Sequence, residues 1–160
     1  MSVSKPLTKR AFSLVELVIV LVIIAVISAI AIPRLTRGAN NAGASALKGD
    51  LAVVRNAVEL YRAEHDGNFP TVAAFTNQLT KYSNLAGDTF SDTADVGNKI
   101  IYGPYIKATP PLPVGARKGD TGVDNVDGAG IGWIYNEANG DFKANTTTET
   151  DQDGVAYNTY

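Results

Sequence analysis

The 160-residue chain holds 14 Lys and Arg, 16 Asp and Glu, one His and no Cys. Without cysteine there is no disulfide framework, thiolate metal site or thiol nucleophile, and the single imidazole, His65, rules out any centre that needs two from this chain. The net charge of -2 hides a split: residues 1–87 carry nine basic and five acidic groups, and residues 88–160 carry five basic and eleven acidic ones. That acidic half disfavours phosphate, and with it nucleic acid.

The first element is an apolar run, Phe12 to Ile32, in which Glu16 is the only ionisable side chain. As a helix its 21 residues span roughly 31 Å, one bilayer core. In lipid the backbone amides have no solvent partner, so an isolated span is helical despite its Val and Ile content. Lys5, Lys9 and Arg10 precede the run and Arg34 and Arg37 follow it, which favours a cytoplasmic N-terminus by one charge. The run is too long for the apolar region of an ordinary secretory signal. A carboxylate at the middle of a membrane helix costs about 2.5 to 3.5 kcal/mol, less near an end, and such groups usually have a partner. Arg10 lies six residues before Glu16, whereas Phe12 lies four before it, on the same helical face. A cut before Phe12 creates an amine there that supplies the missing cation.

The segment "KRAFSLVELVIVLVIIAVISAIAIPRL" closely resembles the N-terminus of type IV prepilins and type II secretion pseudopilins. Phe12, Glu16 and Pro33 fall on the family's first, fifth and twenty-second mature positions. The resemblance implies a leader, residues 1–11, removed between Ala11 and Phe12 by a prepilin peptidase that methylates the new N-terminus. It implies an assembly role for Glu16, whose carboxylate neutralises the amine of a neighbouring subunit. Ala11 stands where the family usually has Gly, and is still small.

Pro33, Gly38 and Gly43 are expected to kink or loosen the helix. It then recovers: Leu47, Leu51, Val54, Val58 and Tyr61 draw one apolar stripe, opposite Lys48, Asp50, Arg55, Glu59 and Arg62, and Gly67 ends it. Thr71 is expected to cap a short helix carrying Phe75, Leu79 and Tyr82 on one face, followed by a Gly, Asp and Ser-rich loop. "KIIYGPYIK" reads as extended and "ATPPLPVG" as a proline-stiffened connector. "GWIYNEANGDFKAN" reads as a hairpin with Trp133 and Tyr135 against Phe142 and a turn at Asn139–Gly140. The polar tail from Thr146 reads as only partly ordered.

This order of long helix, loop and small antiparallel sheet resembles the pilin fold, an α+β architecture in which the second half of the N-terminal helix packs on the sheet. "YRAEHDGNFPT" and "YGPYIKATPPLPVG" resemble the major pseudopilins most. Many type IV pilins close the C-terminal region with a cysteine pair, absent here, and this favours the pseudopilin branch.

Of the residues suited to chemistry, His65 reads as a solvated group complementing the helix C-terminus. The glycines of "GDTGVDNVDGAGIG" lack the lysine of a phosphate loop and stand among aspartates. Tyr102, Tyr105, Trp133, Tyr135 and Tyr157 read as sheet core rather than a base-stacking platform. Two acidic groups, Asp120, Asp124 and Asp127, or Asp151 and Asp153, are candidate calcium ligands. Major pseudopilins hold a calcium in a C-terminal loop, although neither group matches that ligand spacing and a solvated acidic loop is the alternative.

The sequence thus predicts a non-enzymatic subunit of a type II secretion pseudopilus. The expected parts are a leader at 1–11, a membrane and assembly helix at 12–33, and a periplasmic domain at 34–160. The expected partners are further copies of the chain in a helical filament, the prepilin peptidase, the inner-membrane assembly platform and minor pseudopilins. A type IV pilin of adhesion, motility or DNA uptake is the alternative within the family, and a single-span anchored binding domain the alternative outside it.

Overall fold

The structure is a computed structural model, and it describes residues 13–160. The chain divides into two compact units at Gly38/Ala39. The first consists, among its described residues, of the apolar part of a helix, α1 (Leu14–Glu64). Its aliphatic side chains are exposed: Leu14 is 78 % accessible and Ile32 62 %. Helical conformation is kept through Pro33, Gly38 and Gly43, so the expected loosening does not end the helix. A proline costs one donor and a clash with the preceding turn, about 3 kcal/mol, against the cooperative ladder of a 51-residue helix.

The second unit, Ala39–Tyr160, begins with the amphipathic part of α1. The predicted stripe is the buried one: Leu47, Leu51, Val54, Val58 and Tyr61 are each at most 2 % exposed, joined by Ala44 and Ala57. The helix ends as its glycine dictates. Gly67 takes a positive φ of 82° and its N–H donates to Arg62 O at 2.9 Å, while His65 N still reaches Tyr61 O. A 3-10 turn, Val72–Ala74, leads into α2 (Phe75–Thr80), which buries Phe75 and Leu79. Thr71 does not cap it with its side chain. Instead Glu137 accepts from Val72 N at 2.7 Å and Gln78 from Thr71 N at 2.8 Å. Tyr82 is half-buried and opens β1 (Tyr82–Ser83), which pairs antiparallel with β2 (Phe90–Ser91), a small ribbon inside the predicted loop.

"KIIYGPYIK" makes no continuous strand. Single bridges join Ile100 to Asp95 and Tyr102 to Ser83, after which Gly103, at φ 81°, and Pro104 end the ladder. Tyr105 N and Ile106 N then both donate to Leu79 O.

A three-stranded sheet, in the order β3 (Gly122–Asp124), β4 (Ile131–Asn136), β5 (Asp141–Ala144), covers the helical stripe. The predicted hairpin is β4–β5, antiparallel, with Tyr135 opposite Phe142 and Trp133 opposite Ala144. Gly140, at φ 76°, closes its turn by donating to Asn136 O at 2.8 Å. The sheet is not wholly antiparallel, because β3 runs parallel to β4. Its glycines allow this: a Cβ at Gly122 would lie 2.5 Å from Gly130 O, and one at Gly132 would lie 2.2 Å from Asp120 O. Main chain packs on main chain there, in a stretch whose composition reads as loop.

Trp133, Tyr135, Phe142 and Phe75 fill the space between helix and sheet, with ring centroids 4.6 Å apart for Phe75–Tyr135 and 5.0 Å for Trp133–Phe142. Their polar tips are satisfied: Trp133 Nε1 donates to Pro110 O at 2.8 Å and Tyr135 OH to Pro70 O at 3.0 Å. The tail, expected to be partly ordered, is held. Arg55 donates to Phe142 O and to Tyr160 O, Lys48 lies 4.4 Å from the centre of the Tyr160 ring, and Tyr157 is buried.

Candidate functional site

The residues predicted for processing, Ala11 and Phe12, lie outside the described residues. Glu16 lies within them. Ser13 precedes the first helical residue and its carbonyl accepts the first bond of the helix, from Leu17 N at 3.2 Å. Glu16 Oε2 in turn accepts from Ser13 N at 3.3 Å. The pair forms the returning half of a capping box, Ser-x-x-Glu, which satisfies a main-chain donor at the helix start. Glu16 therefore has a partner within the chain that a reading of its charge alone does not supply. Beyond it, Leu14–Ile32 is long and apolar enough to cross a membrane, and none of it is buried in the molecule. Pro33 follows, within the helix.

This exposed apolar helix is consistent with membrane anchoring, and the comparison with protein families points the same way. The chain carries a prokaryotic N-terminal methylation motif at residues 7–32. That motif points to the type IV pilin and pseudopilin class, whose members are structural precursors processed by prepilin peptidase and assembled into filaments. The match covers the apolar segment and stops before the second unit. Neither a curated protein nor a solved structure matches the chain.

In the second unit the structure does not draw the acidic candidates into a ligand set. Among the described residues no group of three or more His, Cys, Asp or Glu side chains is placed to hold a metal. Asp120 uses its main-chain oxygen to accept from Leu112 N, and Asp124 Oδ1 accepts from Asn125 N. Asp127 Oδ1 accepts from Arg117 and from Asn145 Nδ2, both at 2.8 Å. Asp151 Oδ1 accepts from Asp153 N and Val155 N, and its Oδ2 from the Tyr160 hydroxyl. Glu149, Arg117 and Asn145 are the residues that sequence reasoning passes over here, because Glu149 reaches back 33 residues to Ala116, Asn145 18 to Asp127, and Arg117 forward ten to Asp127.

His65 is not solvated but buried, 1 % exposed, and stacked on Tyr61 at 3.7 Å. Its Nδ1 lies 2.9 Å from Tyr61 O, so that nitrogen carries the proton and donates, and Nε2 stands 3.0 Å from Ser83 Oγ. A serine beside an imidazole invites comparison with a nucleophile and its base. Here Ser83 is fully buried and the far imidazole nitrogen meets a main-chain carbonyl rather than a carboxylate. The pair is a satisfied polar plug between the end of α1 and β1.

Proposed function

We propose that the chain is the structural subunit of a type II secretion pseudopilus. In this reading it enters the inner membrane with its N-terminus cytoplasmic and its C-terminal domain periplasmic. Prepilin peptidase cuts between Ala11 and Phe12 and methylates Phe12. The apolar helix then leaves lipid for a bundle of identical helices, which keeps its side chains out of water. The observation that carries the reading is the methylation motif on an exposed apolar stretch, Leu14–Ile32, in which Glu16 is the one acid. The absence of cysteine in the sequence favours the pseudopilin branch over the disulfide-closed pilins.

In the filament Glu16 exchanges its cap for a neighbour's Phe12 amine. The capping box separates two substitutions that a simple charge argument treats alike. Glu16→Gln keeps an oxygen to accept from Ser13 N and removes only the charge, whereas Glu16→Ala removes both. Leaving the amine unpaired in an apolar bundle costs about 3 to 5 kcal/mol at each contact. Glu16→Gln is therefore expected to be cleaved, methylated and membrane-resident, yet missing from sheared filaments. Normal filament yield from the Gln variant removes the pairing mechanism. Deleting the chain is expected to strand a secreted protein in the periplasm; loss of surface motility with secretion intact assigns it to a type IV pilus instead.

A further inference from the structure

The likeness to major pseudopilins implies a calcium ion in the C-terminal loop, and the donor set of this chain does not fit one. Calcium takes six to eight oxygens converging on one centre. The carboxylates here are taken up by separate donors of the chain itself. Glu149 Oε1 accepts from Ala116 N at 2.9 Å, and its Oε2 accepts from Thr147 N at 3.0 Å and Thr148 N at 3.1 Å. Main-chain donors, Ala116 first, then Thr147, the residue's own N–H and Thr148, hold its carboxyl down to about 2. Asp127 is held below the usual carboxylate range, by the Asn145 bond first and by Arg117 after it. The Arg117 guanidinium stands 2.8 Å from Asp127 Oδ1, so a dication on that carboxylate would meet a positive charge already in place.

We infer that the chain closes its C-terminal region with a metal-free clasp, in which Glu149 ties the turn at residues 115–119 to residues 147–148 and Arg117 takes the place of the cation. Asn145, donating to both Asp127 Oδ1 and Ile131 O, joins the clasp to β4. The fit is close enough to demand a glycine. Gly115 has φ 73°, and a Cβ there would lie 2.9 Å from Thr146 Cγ2 and 3.2 Å from Glu149 Oε1. The inference concerns the second unit alone and stands whether or not the chain forms a pseudopilus.

The clasp has a pH signature. Glu149 falls from an ordinary 4.5 to about 2 on folding, and Asp127 also falls. Their contribution is complete above the unfolded carboxylate range and is lost as the pH drops from about 4.5 towards 2. Main-chain donors alone lower Glu149; the charged group facing Asp127 is Arg117, and the groups facing Asp151 are Lys48 and the Tyr160 hydroxyl.

The test uses the full chain in detergent. Thermal melts in millimolar calcium chloride and in chelator are expected to superimpose, and titration with calcium chloride to give no stoichiometric heat. A saturable rise of the midpoint with calcium overturns the inference, and this arm needs only the wild-type chain. Glu149→Gln is expected to lower the midpoint by on the order of 5 °C and to flatten its dependence on pH between about 4.5 and 2. An unmoved midpoint and an unchanged pH profile overturn the role of Glu149. Arg117→Gln is expected to lose about 1 to 3 °C and Arg117→Lys to recover part of it, since the pair is partly exposed. Equal midpoints for wild type and Arg117→Gln overturn the assignment of Arg117 as the cation.

Discussion

Leu and Val line both parts of α1, yet they meet opposite fates. From Leu14 to Ile32 they are exposed on every side, whereas from Leu47 to Val58 those on one face are sealed under the sheet. The difference lies in what is interleaved. In the second stretch charged and small residues fill the remaining positions, so one face is apolar and a sheet can satisfy it. In the first stretch no polar face exists, and none of it is buried in the molecule.

The largest expected effect tests the buried side of this contrast. Trp133→Ala empties the centre of the core and leaves Pro110 O without its donor, at a cost of about 3 to 5 kcal/mol in denaturant unfolding. Membrane association of the full chain is expected to be unchanged. If the variant instead leaves the membrane, anchoring depends on the folded second unit and not on the apolar stretch alone.

Next is the exposed side. Ile24→Lys places a charge near the middle of the span and is expected to cost about 2.5 to 3.5 kcal/mol of insertion, roughly a hundredfold in partition. It should not move the melting midpoint of the second unit. An equal loss of midpoint would mean that this helix stretch supports the fold and not only the membrane contact.

The smallest effects come from one substitution with opposite signs in the two regions. Gly38 lies in the helix with open space around it, so Gly38→Ala is expected to raise helicity by up to about 1 kcal/mol, read by circular dichroism. Gly140→Ala meets a positive φ of 76° and places a Cβ 2.4 Å from the Phe69 ring, with an expected loss of about 1 to 3 kcal/mol. Equal signs would break the distinction.

What the sequence displays and what it withholds follow the range of the interactions. The helical stripe and the β4–β5 hairpin are written in local periodicity, and Asn139–Gly140 marks their turn. Ser13-x-x-Glu16 is local too, but considering Glu16 only as a charge passes over the cap. The remaining features depend on distant partners. Glu137 caps Val72 across the molecule, and His65 becomes buried because Ser83 comes to meet it. Strand β3 is only Gly-Val-Asp, and its pairing rests on main-chain approach at Gly122 and at Gly132 of β4, which composition does not reveal. The acidic loops read as candidate calcium ligands; in the fold Asp127 accepts from Arg117 and Asn145, and Asp151 from Asp153 N, Val155 N and the Tyr160 hydroxyl.

The contact between Arg55 and β5 bears on how such a chain associates with itself. A lone strand edge is a template for open-ended stacking of sheets, the route to amyloid. On β5 the carbonyl of Phe142 is occupied by Arg55, and the turn Tyr157–Thr159 lies alongside the strand. With that acceptor already bonded and the turn alongside, an incoming strand finds a poorer template on β5, and cross-β growth from this edge is disfavoured.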